Sequence, residues 1–493
     1  MAATDGPPRT ALEMAIAERN AVALGITVQQ LMENAGRVVA EAVTAHVPDA
    51  SARIVVLAGA GNNGGDGTAA VHFLRAAGRT PELWMVAGSA AIRSIAARRA
   101  FERVAGLGGA HQGVPTAGDL AGAALVVDAM LGTGQSGELR EPYRASVAAV
   151  REARVPVLAV DLPTGFGGPD RLPVRWTVTL SAPKVGLDPS TAGEILVRPI
   201  GIPDAAFDRT GPGEFLAYPR PTSRGRRARV AVVGGGPFSG APALAALAAL
   251  RAGAERATVF APEPAASAIR ALSADLVVVP TGHEQLRPAD VAGVVTGIRA
   301  SRVGAVVVGM GLGRAPETVE AARALLGELA GTVPLVVDAD ALDALPRSIP
   351  PGTNSGVVAT PNEGEFARVF QSGADRRLGS PTETVSAVAR ARGITVVRKG
   401  AEDIVASTDR LALSGPHSPS MNVGGSGDVL GGVIGRLLAE PLPPFSAARL
   451  ATHWVGDAGR LAAAEYADGL LATDLLEAIP VALREGLRYA ALG

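Results

Sequence analysis

At 493 residues the chain is too long for one ordinary domain, and its 47% apolar and 19% charged residues give each part a core to pack. With 46 basic and 47 acidic residues, a net charge of −1 leaves no basic excess for nucleic acid or anionic lipid. Cysteine is absent, which excludes disulfides, thiolate nucleophiles and cysteine-held zinc and agrees with a reducing, cytoplasmic setting.

The first residues, Met1 to Pro8, lack the charged-then-apolar layout of a signal peptide. The longest apolar run, Ala241 to Ala254, contains Pro242 and Arg251 and is short for a bilayer span, so no membrane association is expected. Residues 27–46 read as an amphipathic helix, with Val28, Leu31, Met32, Ala35, Val39 and Val43 on one face. A β-branched run, Ile54 to Leu57, leads into the glycine-rich Gly59 to Gly67 and then a helical stretch, Thr68 to Ala77. Further strands are expected at 83–86, 125–128, 157–161, 177–180 and 195–197, separated by helical stretches, which predicts a mostly parallel sheet covered on both faces. Residues 211–228 carry three prolines, three glycines and four arginines without period, and 213–226 is the expected linker between domains 1–212 and 227–493. After it the pattern restarts with Val230 to Val233, a glycine run and a helix from Pro242, then strands at 258–260, 276–279, 305–308, 335–338, 357–360, 394–398 and 404–406.

Ligands of such sheets gather at the carboxyl ends of the strands. Two expected strands of the first half end in acid, Asp128 and Asp161, each suited also to a helix cap. Gly59-Ala-Gly61-Asn-Asn-Gly64 has dinucleotide-loop spacing, but Glu82 begins its strand instead of ending it, and no Gly-Lys-Ser/Thr follows. The unusual feature is Asn62-Asn63 beside Asp66, whose oxygens are hard ligands for a cation. Leu31 to Gly36, Gly61 to Gly67, Val127 to Gly134 and Ala182 to Leu187 together resemble the NAD(P)H-hydrate epimerase family. That resemblance implies a Rossmann-like three-layer α/β domain that interconverts the R and S hydrates, NADHX and NADPHX. It puts substrate contacts on Asn62, Asn63, Gly64, Gly65, Asp66, Gly132, Thr133, Gly134, Gln135, Ser136, Gly137, Glu138, Tyr143 and Asp161. It puts K+ on Asn63, Asp128 and Thr164, the last a threonine where the family has serine. Asp161 is the expected proton-transfer group, because a hydroxyl must leave C6 and return.

In the second half, Asn422 to Gly432 is a glycine loop opening an apolar helix, a layout that aims N–H groups at an anion. Asp428 at its mouth would repel phosphate as a ligand, yet suits a base that deprotonates an attacking hydroxyl. A plain helix cap is the alternative. Asn362 and Glu365, three apart at a helix start, suit either a hydrated Mg2+ or a cap with an acid in the first turn. Lys399-Gly400-Ala401-Glu402-Asp403 turns between two strands and suits a nucleotide phosphate. With Gly234 to Gly236, Ser239 to Pro242, Gly309 to Gly313 and Asp338 to Leu342, these stretches resemble the ribokinase-like ADP/ATP-dependent NAD(P)H-hydrate dehydratases.

The second resemblance implies phosphorylation of the S hydrate by ADP or ATP, followed by loss of phosphate to restore NAD(P)H. It puts nucleotide contacts on Lys399 through Asp403 and Gly427, hydrate contacts on Ala241, Gly311, Asn362 and Asp428, and an indirect Mg2+ contact on Glu365. Asn362 replaces the family's histidine and keeps a hydrogen-bonding group without a titratable one. The implied partners are small molecules and, by the same resemblance, further copies of the chain as a homo-oligomer. The competing reading is a ribokinase-like small-molecule kinase with a non-catalytic nucleotide-binding first half. It leaves the Asn62–Asp66 cluster unexplained.

Overall fold

The computed structural model describes residues 6–106, 108–135, 137–220, 228–346, 356–370 and 379–491, and divides into two compact units, Met1–Ala206 and Phe207–Leu492. In the first, the apolar runs form β1 Ile54–Ala58, β2 Glu82–Met85, β3 Ala110–Gln112, β4 Leu125–Ala129, β5 Val157–Val160, β6 Trp176–Leu180 and β7 Glu194–Arg198. All seven are parallel, in the order β3-β2-β1-β4-β5-β6-β7. Side chains alternate along a strand, so Val55 and Leu57 face one way and Val56 the other. Val55, Leu57 and Val126 pack with Val147 and Val150 of helix Tyr143–Ala153. On the opposite face, helix Asn62–Ala76 comes so close that a Cβ on Gly67 would lie 2.3 Å from that of Ala129 and 3.4 Å from Val56 Cγ1. Helices thus cover both faces, the three-layer arrangement expected from alternation.

Helix Val28–His46 begins where its pattern predicts, with Thr27 as cap: Gln30 N–H donates to Thr27 Oγ1 at 3.1 Å and Thr27 N–H to Gln30 Oε1 at 2.8 Å. The next helix differs from expectation, starting at Asn62 instead of Thr68. Gly64, Gly65 and Gly67 are poor helix formers, but their missing side chains let this turn seat against Gly59, Met32 and Ala129, and packing overrides propensity. Helix Ala11–Ala23 and the short edge strand β3 also lie outside the expected elements.

The second unit contains β8 Arg229–Val233, β9 Arg256–Pro262, β10 Val277–Thr281, β11 Ala305–Val308, β12 Leu335–Val337, β13 Val357–Ala359, β14 Thr395–Arg398, β15 Asp403–Ala406 and β16 Leu411–Ser414. Their order is β10-β9-β8-β11-β12-β13-β14-β15-β16, parallel up to β14 and antiparallel over the last two pairings. Val306, Val308 and Val337 pack with helices Val291–Ser301 and Pro316–Leu329. Val307 faces the other side, where a Cβ on Gly435 of helix Ser426–Leu438 would lie 2.5 Å from its Cγ2. Residues Val429 to Leu438 are all buried, so this helix is central rather than amphipathic.

Part of the expected linker is packed. Pro212–Ala217 is a 3-10 turn with Glu214 and Phe215 buried, and Arg449 Nη2 donates to Glu214 Oε1 at 2.6 Å within the second unit. The bulky Phe215 supplies the apolar surface that a Pro/Gly-rich composition disguises. Residues 221–226 of that linker lie outside the described residues. Among the described residues no helix is long and apolar enough to cross a membrane.

Gly59, at the end of β1, is where backbone meets backbone: a Cβ there would lie 1.9 Å from the Met130 carbonyl oxygen. Gly59→Ala should therefore destabilise the first unit by about 1–3 kcal/mol or more. Hydrogen exchange at the β1 amides under mild denaturant checks this, and unchanged protection would show that the contact relaxes freely.

Candidate active sites

The first sheet reverses its strand order between β1 and β4, the place where open α/β sheets hold ligands. Helix Asn62–Ala76 starts there with Gly61 as a cap that has no side chain to engage its first N–H groups. The penultimate residue of β4 is Asp128, which is fully buried. Thr164 N–H donates to Asp128 Oδ2 at 2.8 Å, Thr164 Oγ1 to Oδ1 at 2.7 Å and Met130 N–H to Oδ1 at 3.2 Å. Burial pushes the Asp128 pKa up to about 6 in spite of these bonds. Asp128 is thus a strand-end carboxylate and caps no helix. Leu131 N–H donates to Thr164 Oγ1 at 3.2 Å, and Gln135 holds the same loop by accepting from Gly165 N–H at 2.7 Å.

The Asn63 side chain packs against Gly132, and its buried Nδ2 has no hydrogen-bond partner. An amide turned over at such a place presents oxygen instead. Carboxylate, hydroxyl and amide oxygens at Asp128, Thr164 and Asn63 are a hard donor set, and every group that donates to the buried Asp128 carboxylate is neutral. The residues fit a monovalent cation.

Asp161, just beyond β5, has φ +67° and hydrogen-bonds through its N–H to Val178 O at 2.8 Å. Its Oδ1 lies 2.6 Å from Lys184 Nζ, and Lys184 is only 3% exposed. The Lys184 segment is held by the chain's start: Arg9 N–H donates to Pro183 O at 2.8 Å and Val185 N–H to Arg9 O at 3.0 Å. Helix Ala11–Ala23 follows and brings up half-buried Glu18. Burial, then the charge of Asp161, raises the Glu18 pKa to about 7 against the pull of Lys184 and Arg19. Asp66 is raised well above the usual carboxylate range by burial, then by Glu18 and Asp161.

Sequence reasoning missed Glu18 and gave Lys184 no role. The signal for the first was a Thr10-x-x-Glu13 capping box before an apolar helix, and both of its hydrogen bonds form. Asn62 and Tyr143 share an open cleft with Ala60, Gly61 and the Ala87–Ser94 segment. Gly132, Thr133, Gly134, Gly137 and Glu138 lie on the loop after β4, and Ser136 lies outside the described residues.

The second sheet reverses between β8 and β11. Helix Ser426–Leu438 starts beside it with Gly425, φ +96°, as a cap without a side chain, leaving its first N–H groups open. Asp428 is in the first turn. At the end of β12, Asp338 is 1% exposed and accepts from Lys399 Nζ at 2.8 and 3.0 Å. A Cβ on Gly427 would lie 2.9 Å from the same ammonium, so Lys399 lies over the glycine loop. Burial works against the Lys399 charge, but Asp338, Glu365 and Asp428 outweigh it and raise its pKa. The Asp428 pKa is pushed up to about 7 by burial, then by Asp338, with Lys399 opposing and Glu365 and Asp340 adding.

The other expected residues divide by role. Lys399 N–H donates to Pro361 O at 2.8 Å, which sets the nucleotide-loop candidate beside Asn362. A Cβ on Gly311 would lie 2.6 Å from Phe238 O, on the loop leading to Ala241 and helix Gly240–Arg251. Asn362 and Glu365 form the reciprocal cap: Glu365 N–H donates to Asn362 Oδ1 at 2.9 Å and Asn362 N–H to Glu365 Oε2 at 2.8 Å. Asp403 accepts from Gly400 N–H at 3.0 Å and sits 3.0 Å from His417 Nε2, while Glu402 pairs with Arg209. The side chains of Glu402 and Asp403 shape the loop, leaving Lys399 and backbone groups for an anion.

A family model described as NAD(P)H-hydrate dehydratase matches residues 230–481, and one described as YjeF-related protein N-terminus matches 28–186. The chain is 39% identical to the bifunctional NAD(P)H-hydrate repair enzyme of Pyrobaculum aerophilum, over 98% of each chain. It is 36% identical to that of Hyperthermus butylicus, over 98% of this chain and 94% of the other. A solved ADP/ATP-dependent NAD(P)H-hydrate dehydratase from Bacillus subtilis, co-crystallized with ATP and Mg2+, is 20% identical with a TM-score of 0.46, covering 56% of this chain and 96% of the other. Likeness along both halves favours repair over a kinase with an inert first domain. The chain belongs to the bifunctional NAD(P)H-hydrate repair enzymes, an isomerase joined to a nucleotide-dependent lyase.

Proposed function

We propose that the first unit epimerises NADHX and NADPHX at the strand ends of Asp128 and Asp161, and that the second dehydrates the S form at Asp428. In epimerisation the C6–O bond breaks as the ring nitrogen lone pair forms a C6=N1 bond, and water re-adds from the other face. The departing hydroxyl needs a proton and the returning water must lose one. Asp161, braced by Lys184, is the group we assign to that transfer, with Glu18 as the acid that holds the exchanged proton near neutral pH and Asp66, raised well above the usual carboxylate range, beside it. A K+ held by Asn63, Asp128 and Thr164 would supply fixed positive charge beside the leaving oxygen.

In dehydration the C6 hydroxyl oxygen attacks the terminal phosphorus of ADP or ATP, the bond to the leaving nucleotide breaks, and Asp428 takes the hydroxyl proton. Phosphate then departs with the C6–O bonding pair and C5 loses a proton, restoring the double bond. Phosphorylation turns a poor leaving group into a good one. Lys399 and the open N–H groups of helix Ser426–Leu438 favour the transferred phosphate. Glu365 keeps one carboxylate oxygen free of the cap, which supports an indirect role with hydrated Mg2+. The observation that carries this reading is Asp428 itself, an acid with a pKa near 7 at an open helix N-terminus beneath a lysine.

Asp428→Asn should lower nucleotide-driven dehydration roughly 10²–10⁴-fold and leave epimerisation untouched, followed by recovery of reduced-nicotinamide absorbance from each epimer. Undiminished turnover would remove Asp428 as the base. Because the base acts deprotonated, the dehydration rate should fall as pH drops below about 7, and Asp338→Asn, by removing a neighbouring negative charge, should move that fall to lower pH. Asp161→Asn should slow epimerisation roughly 10²–10⁴-fold and, by stranding Lys184, destabilise the first unit by about 3–5 kcal/mol. Adding Lys184→Met should restore stability but not rate; an epimerase as fast as wild type in either variant would refute the assignment.

A further inference from the structure

The cleft beside the first site has a cation with no assigned role. Its lining is Ala60, Gly61 and Asn62 after β1, Ala87, Ala91, Arg93 and Ser94 after β2, and Tyr143. That lining contains one positive charge and no carboxylate. Arg93 is exposed and, among the described residues, has neither an ion-pair nor a hydrogen-bond partner. Its loop is nonetheless fixed: Val86 N–H donates to Ala58 O at 3.1 Å, Ser89 N–H to Gln112 Oε1 at 2.8 Å, and Arg98 holds the Ile92 carbonyl. Two helices, Asn62–Ala76 and Ile95–Ala105, also begin at the rim of this cleft. Arg53, by contrast, pairs with Glu82 at the opposite end of β2. An arginine left unpaired in a concave, carboxylate-free surface is a receptor for an anion, and its planar fork of donors matches phosphate oxygens.

We propose that Arg93 is a substrate-binding residue that holds a phosphate group of the dinucleotide hydrate while C6 reacts at Asp161. The inference rests on the epimerase reading above, since Asn62 and Tyr143 of the same cleft are its expected substrate contacts. Two phosphates share this chemistry, the pyrophosphate common to both hydrates and the 2′-phosphate that only NADPHX carries. Arg93 touches no reacting atom, so it contributes binding that is equal in ground and transition states.

The test uses the full chain with Arg93→Ala and Arg93→Lys, measuring KM and kcat for epimerisation of NADHX and NADPHX separately. Dehydration by the same samples reports that the protein is folded and active. A rise in KM of roughly tenfold or more for Arg93→Ala at near-constant kcat, partly recovered in Arg93→Lys, is expected from the loss of a charged hydrogen bond. A rise confined to NADPHX assigns the 2′-phosphate, and an equal rise for both assigns the pyrophosphate; either supports the proposal. Unchanged KM for both substrates in an enzyme that epimerises them overturns it. If wild type does not epimerise at all, the epimerase reading fails instead, which separates the two.

Discussion

A lysine ammonium held against a carboxylate at a strand end is the interaction each half of the chain depends on, Lys184 with Asp161 and Lys399 with Asp338. Taking either charge out of water is costly, and the pair forms only because each ion neutralises the other. The surroundings then titrate around that pair. Glu18 and Asp66 in one unit, and Asp428 in the other, are acids forced to share a poorly solvated space with a charge already spoken for. All three are raised, and Glu18 and Asp428 reach about 7, the range in which a group both gives and takes protons.

Both sites stand where the strand order of a sheet reverses, and glycine makes the approach possible. Gly59 lies against the Met130 backbone, and Gly309, with φ +130°, would put a Cβ 1.8 Å from the Asp338 carbonyl oxygen. These contacts join neighbouring strand ends at backbone distance, so the acids at those ends are placed by main chain. The side chain then needs only its own short torsions to be positioned.

Much of this was legible in the sequence because the signals were local. Helix Val28–His46 combines a capping pair with regular apolar spacing, and the strands are β-branched runs bounded by glycine or acid. Asp128 and Asp161 stand out because each sits where an apolar strand run ends, and Asp428 because it sits between a glycine loop and an apolar helix. What stayed hidden depends on distance along the chain or on packing. Glu18 joins Asp161 only after the amino-terminal segment pairs with Lys184, and the Gly64–Gly67 turn is helical because neighbours require close approach, against its intrinsic preference. The partner of the Asp403 carboxylate, His417, comes from beyond the next strand and gives no local signal.

The hairpin that ends the second sheet ties recognition to the core. Arg398 stands opposite Ile404, so Lys399 to Glu402 are the whole turn between β14 and β15. Adding or deleting one residue there would slip β15 by a single position, exchanging Ile404 and Ala406 on one packed face with Val405 on the other, and both faces are buried. The length of this turn is therefore fixed by the interior behind it as firmly as by any phosphate in front.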